Sequence, residues 1–354
     1  MQLRDSKVLA LVTFACLGAI SAHCYLTELS LWGMSLLFVA SGFFLCIGHY
    51  DDFPDDLSVK RALSFAASKF KLIYPLYVIC IAAAIAPKAY FALRGYGGLG
   101  RDDVVGIILN VLLLQAWSPE YMFSGNGVGW FFSVCLPLFM LFPAILSLVR
   151  KIKTKGECFA AAVIITAAQL LISFLAHRFL PAVDSKWFNT CLPLCRIFDF
   201  TLGIIAGHII KAFPHSETVP AKSALFELGA IMLSGLSIFI YYRTYLDNNL
   251  NWLGFALIFA LPSFALVLCF ARGEGIFSAV LGNRFFRNLV STGAAVYLVH
   301  SVVIQAGSSL AVRLQIPENI QRVIVPIGIV VVCFLIGYIC KLFYRKKVSA
   351  SCSC

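Results

Sequence analysis

The stretch RIFDFTLGIIAGHII, residues 196–210, is apolar enough to cross a bilayer, yet it opens on Arg196 and carries Asp199 three positions later. An ionised side chain at membrane depth costs roughly 2.5–3.5 kcal/mol even on the lenient insertion scale. Two of them on one span require a reason. At i, i+3 they are neighbours on one helix face. One reading is a mutual ion pair that fixes the helix end. The other has Arg196 facing a cavity and holding a polar or anionic group, with Asp199 orienting it. Gly203 and Gly207 follow as a small-residue stripe suited to close helix packing.

The rest of the chain repeats the apolar theme. Of its 354 residues 60% are hydrophobic and 13% charged, about half the charged fraction of a soluble protein. Mean hydropathy is +0.89. Apolar runs of bilayer-spanning length fall near 8–26, 29–48, 70–92, 130–150, 157–177, 193–210, 223–242, 252–271, 290–311 and 322–343. The expectation is an all-α polytopic membrane bundle of about ten helices. The first run, from Val8, is long and lacks a small-residue cleavage site, so it reads as a span and not as a signal peptide.

An eleventh run, 104–117, is short for a crossing. If it does not cross and the N-terminus is cytoplasmic, basic groups such as Lys7, Lys60, Lys69, Arg150, Lys153, Arg272 and Lys346 all fall at the inner face. The positive-inside rule therefore favours ten crossings, both termini cytoplasmic, and 104–117 re-entrant or lying along the outer surface. The net charge of +11 is explained by these loops and does not point to nucleic acid. Residues 1–344 read as one membrane domain and 345–354 as a short basic, Cys-containing cytoplasmic tail, either lipidated or simply a disordered end. The thirteen cysteines are scattered without metal-ligand spacing and read as small core hydrophobes, with no metal expected.

Three further polar spots stand out. In STGAAVYLVH, 291–300, His300 lies about midway along its span with Tyr297 one turn earlier. It is either a hydrogen-bonded core histidine or a proton acceptor for a nearby hydroxyl. In VGWFFSVCLPLFMLFP, 128–143, Trp130 reads as an interfacial aromatic, Ser133 sits one turn in, and Pro137 and Pro143 read as kink and stop. In LFVASGFFLCIGHYDD, 37–52, Ser41 and Gly42 interrupt the apolar run and His49, Tyr50, Asp51 and Asp52 follow at the cytoplasmic mouth.

Taken in order, these motifs resemble the acyltransferase-3 family of integral membrane O-acyltransferases. LFVASGF (37–43) is similar to that family's FFVLSGF segment, and KFKLIYPLY (69–77) to its basic stretch ending IYPLY. Trp130, Ser133, Phe139 and Pro143 resemble its W-x-L-S helix. Arg196, Asp199, Phe200 and Gly203 resemble R-x-x-E-F-x-x-G, and Ser291, Tyr297 and His300 its late S … Y-L-x-H. The resemblance implies about ten helices and acyl transfer, commonly acetyl from acetyl-CoA, to hydroxyls of glycans or other surface and secreted molecules. It makes His300, Arg196, Asp199, Ser133 and Tyr297 the candidate catalytic residues. CoA's phosphates need cations at the inner face, where Lys60, Arg61, Lys69, Lys71, Arg284 and Arg287 are available; the same residues also serve as topology signal.

Three positions depart from the pattern. The family's first helix usually carries a basic residue and, eleven positions later, a histidine thought to be the general base. Here Lys7 is followed at that distance by Gly18, and the nearest histidine is His23. Five residues is about 140° around the helix from Gly18 and roughly 7.5 Å along it, so His23 does not simply stand in. The glutamate often found two after the serine is Cys135, and the arginine before IYP is Leu72. Three functions stay open: an acyltransferase using another base, His300 or His23; an impaired member that binds or passes a glycan or lipid-linked intermediate; and a polysaccharide transporter or polymerase.

Overall fold

The computed structural model describes residues 3–24, 29–53, 58–213, 219–244, 252–283 and 292–351. Eight helical stretches there are long and apolar enough to cross a membrane: Ser30–His49, Tyr74–Leu93, Gly127–Val149, Lys155–Phe179, Ala182–Ala212, Pro220–Thr244, Gly293–Arg313 and Glu318–Phe343. The shorter apolar stretches Lys7–His23 and Ile258–Arg272 account for the other two expected spans. The protein is a multi-pass, all-α membrane bundle.

Its helices are α1 (Leu3–His23), α2 (Ser30–His49), α3 (Val59–Phe70), α4 (Tyr74–Leu93), α5 (Arg101–Val111), α6 (Trp130–Val149), α7 (Lys155–Phe179), α8 (Ala182–Thr190), α9 (Pro193–Ala212), α10 (Pro220–Thr244), α11 (Trp252–Arg272), α12 (Ile276–Leu281), α13 (Gly293–Arg313) and α14 (Glu318–Ser351).

At the centre α2 lies against α9 with almost no side chain between them. A Cβ added to Gly203 would overlap the Val39 carbonyl, and one added to Gly42 the Phe200 carbonyl. The small-residue stripe expected at 203 and 207 is therefore one half of a seam whose other half is Gly42 in the LFVASGF segment. Without hydrophobic drive between helices in lipid, this close van der Waals approach is what holds such a pair. Around the seam Phe38 meets Phe131, and Phe139 and Phe142 both meet Phe200, the two groups being joined through Phe132 and Phe70.

Several boundaries differ from the sequence expectation. The run 70–92 is two elements, because Pro75 in the first turn of α4 lacks the N–H that would continue α3. α3 is instead a 12-residue amphipathic helix capped by Ser58, whose Oγ accepts from the Arg61 N–H at 3.2 Å. α6 passes through both Pro137 and Pro143, so Pro143 is not a stop. Trp130 is buried, its ring 6.2 Å from Phe38, and is not a belt residue.

The run 104–117 does not cross. α5 has 11 residues, about 16 Å of helix against a hydrocarbon core of roughly 30 Å. It ends in a turn with Leu113 at φ 57° and a 3₁₀ turn at Gln115–Trp117. That irregular backbone is held by protein groups, as membrane-depth loops must be. Tyr77 donates to the Asn110 carbonyl at 3.0 Å, Gln115 Nε2 donates to Tyr77 Oη at 2.8 Å, and Trp187 Nε1 on α8 donates to the Ala116 carbonyl at 2.9 Å.

Candidate functional site

A narrow chamber of about 300 Å³ runs between α1, α2, α6 and α13 and reaches the junction of α3 and α4 at one end. Leu9, Val12 and Cys16 form one wall, Leu37, Ala40 and Phe44 another, and Phe131, Phe132, Cys135 and Phe139 a third. Apart from Ser41, whose Oγ donates to the Leu37 carbonyl at 2.8 Å, its walls are apolar, and its ends are not: Lys69 stands at one and Tyr297 at the other. Lys69 also lines a second, open hollow of about 590 Å³ with His49, Asp52, Ser58, Lys60, Arg61, Ser64 and Ser68. A cationic basin thus meets an uncharged bore at one lysine.

Lys69 is held there by a chain of side chains. Its ammonium donates to His49 Nε2 at 2.5 Å, and His49 Nδ1 donates to Asp52 Oδ2 at 2.5 Å. The direction follows from lysine having no acceptor, which leaves the imidazole proton on Nδ1. Partial burial pushes the Lys69 ammonium below its usual range, and Asp52 pulls it back up. Of the sequence candidates for phosphate contact, Lys60, Arg61 and Lys69 line the hollow. Lys71 is exposed and lines neither cavity, and Arg284 and Arg287 lie outside the described residues. The sequence reading missed Ser58, Ser64 and Ser68, although their recurrence with Lys60, Arg61 and Lys69 on one side of a short amphipathic run was a legible signal.

At the other end Tyr297 donates to Met34 Sδ at 3.6 Å and packs on Phe131, ring centroids 5.2 Å apart. His300, one turn on, is fully buried and donates from Nδ1 to the Tyr297 carbonyl at 2.5 Å. Nε2 therefore carries the lone pair, and it has no hydrogen-bond partner among the described residues. The His300 ring is 5.4 Å from that of Tyr297 and 5.3 Å from that of His23. The two imidazoles that the sequence offered as alternatives lie side by side.

This placement corrects the reading of Gly18. Cys16 marks the chamber face of α1; Gly18 is about 200° around the helix from it, whereas His23, seven residues on, is about 20° from it. Gly18 backs onto Leu29 and Trp32, with room for a Cβ at 3.5–3.8 Å. Position 18 of this chain does not face the chamber and position 23 shares its face. Gly18→His is accordingly expected not to raise acyl transfer in isolated membranes. A tenfold gain would place the reacting centre on the Trp32 side of α1.

Arg196 and Asp199 answer the puzzle of their span mainly through each other. Both are buried, Nη1 donating to Oδ2 at 2.9 Å. Arg196 Nη2 donates to the Asn189 carbonyl at the end of α8, and Gln169 of α7 donates to the same Asp199 oxygen at 3.3 Å. Ser35 of α2 faces that carboxylate as well. Neither residue lines the chamber. They are joined to it through α2, where Met34 touches Tyr297 and Ser35 touches Asp199, so the pair and Tyr297 lie at one depth on different faces of that helix.

Ser133 is the candidate the structure sets apart. Its Oγ donates to the Leu113 carbonyl at 2.8 Å and accepts from the Ala116 N–H at 3.2 Å. Both interactions tie down the turn after α5, and Ser133 does not line the chamber; Cys135, two residues on, does. Among the described residues no three His, Cys, Asp or Glu side chains form a group suited to a metal ion.

Comparison with known proteins accords with this architecture. The chain is 28% identical over 201 residues to the acyltransferase MdmB of Streptomyces mycarofaciens, an alignment covering 54% of this chain and 49% of that protein. The chain thus aligns with about half the length of that curated relative. No solved structure matches it. A family model for an acyltransferase domain matches residues 8–341, nearly end to end, and the protein belongs to the acyltransferase-3 family.

Proposed function

We propose that this protein is a membrane O-acyltransferase that takes an acyl group, acetyl by preference, from acyl-CoA and delivers it to a hydroxyl of a cell-surface glycan or similar acceptor. The observation that carries this reading is the junction at Lys69. Acyl-CoA has a polyanionic nucleotide head and a slender, uncharged pantetheine arm ending in the thioester. A basin bearing Lys60, Arg61 and Lys69 fits the head, charge-assisted hydrogen bonds to phosphate being the strong kind. The apolar bore beyond Lys69 fits the arm and directs the thioester toward Tyr297. Acyl-CoA is cytoplasmic, so the Lys69 end faces the cytoplasm of a cell whose inner or plasma membrane holds the protein, with both termini on that side. This agrees with the distribution of basic residues.

Attack by the acceptor oxygen on the thioester carbonyl forms the C–O bond and breaks the C–S bond. In a bore of low dielectric, dipoles aimed at the developing oxyanion act strongly, and the Tyr297 hydroxyl is the donor at that end.

Binding of labelled CoA and of 3′,5′-ADP to protein in nanodiscs tests the two halves separately. Lys69→Glu is expected to weaken both ligands at least tenfold, the worth of a hydrogen bond to a charged group at roughly 1.5–3 kcal/mol. Ala40→Leu, which narrows the bore, should weaken CoA alone. Equal binding of both ligands by wild type and both variants would defeat the assignment. Transfer itself is read by following labelled acetyl from acetyl-CoA into surface glycan.

A further inference from the structure

The chamber accounts for one reactant's entry but leaves two features unused, both outside its lining: the unpartnered Nε2 of a fully buried histidine, and an exposed histidine whose ring lies tilted beside it. A buried imidazole fixed by its Nδ1–H and left with a bare lone pair forgoes a hydrogen bond that a buried polar atom ordinarily makes. Such an atom calls for a partner that comes and goes. Its position supplies one. His300 is in ring contact with Tyr297, which ends the bore, and with His23, the last residue of α1, at the end remote from Lys69.

We propose that His300 and His23 form a two-imidazole proton path on the acceptor side. His300 Nε2 takes the proton of the attacking hydroxyl, and His23 passes it to water at the bundle surface. The proposal rests on the acyl-transfer reading above and adds to it where the acceptor enters and where its proton goes. In atoms, the acceptor O–H proton moves to His300 Nε2 as the C–O bond forms; the thioester C–S bond breaks; and the departing CoA thiolate takes a proton from water at the Lys69 mouth. His300 then returns to its resting tautomer by handing a proton through His23 to the opposite surface. Donor and acceptor thus approach from opposite ends of one path, Lys69 to Tyr297 to His300 to His23, and the hydroxyl is presented beside His300 from the His23 end.

Because His23 is exposed at a helix end, His23→Ala leaves the fold intact, and a small imidazole can reach the gap it leaves. The expected result is a fall in kcat of about 10²-fold, within the 10²–10⁴ typical of general-base loss. The acetyl-CoA KM should be unchanged, and added imidazole should restore a large part of kcat. His300→Gln, whose side chain refills the space the ring leaves, should lose kcat by a similar or larger factor with no response to imidazole while still binding labelled CoA as wild type does. Full kcat in His23→Ala would overturn the path, and so would a loss that imidazole does not repair. Wild-type protein that binds CoA yet transfers acetyl to no hydroxyl would instead overturn the transfer reading beneath it.

Discussion

Arg196→Met is expected to unfold the protein or to lower its stability by about 3–5 kcal/mol, the cost of stranding one partner of a buried pair. Asp199 would remain buried with the neutral groups of Gln169 and Ser35 facing it and no guanidinium. The double variant Arg196→Met/Asp199→Leu should recover most of that loss, since removing both charges together is often neutral in an apolar interior. Thermal unfolding in detergent, followed by tryptophan fluorescence, reads both. Because neither side chain lines the chamber, acyl transfer by the double variant should remain within about tenfold of wild type when scaled to folded protein. A well-folded double variant with no transfer would return Arg196 to the reacting centre.

The other large effect belongs to the α2–α9 seam. Gly203→Ala adds one methyl group where the Val39 carbonyl already sits. Backbone does not swing aside as a flexible side chain does, so the helices must separate and every contact along the seam loosens at once. Overpacking costs typically 1–3 kcal/mol and occasionally more, and this site belongs to the costly end of that range. Gly207→Ala meets the Cys46 side chain instead and should be milder. Yield of monodisperse protein after mild and harsh detergent extraction would rank the pair. Equal yield for Gly203→Ala and wild type would mean that the seam yields more readily than its geometry requires.

Much of the architecture was legible in the residues. Span count follows from run length, and the exclusion of 104–117 follows from charge bookkeeping across the loops. Which face of a helix matters was not legible, because that depends on what packs against it. Gly18 was judged by its spacing from Lys7, yet the wall of the chamber is set by Leu9, Val12 and Cys16, and only a partner helix reveals that stripe among so many apolar residues. Ser133 lies outside the chamber for a similar reason. A hydroxyl one turn into a span reads as a reactive group until the loop that needs it, with Leu113 at positive φ, is folded against it. Trp130 and Pro143 show that habits drawn from helix ends do not transfer to positions sealed inside a bundle. By contrast, His300 and Tyr297 were placed together correctly because one turn of helix fixes their proximity whatever surrounds them.

The backbone-to-backbone union of α2 with α9 also decides how anything gets in or out. Two rods in such intimate register shift as a single strut, so that side of the bore stays still while ligands come and go. α13 is held in turn by α14, whose Gly337 would bring a Cβ within 2.8 Å of the Thr292 side chain, and by Asn126, which donates to the Leu298 carbonyl at 3.0 Å, so the bore near Tyr297 is braced on both flanks.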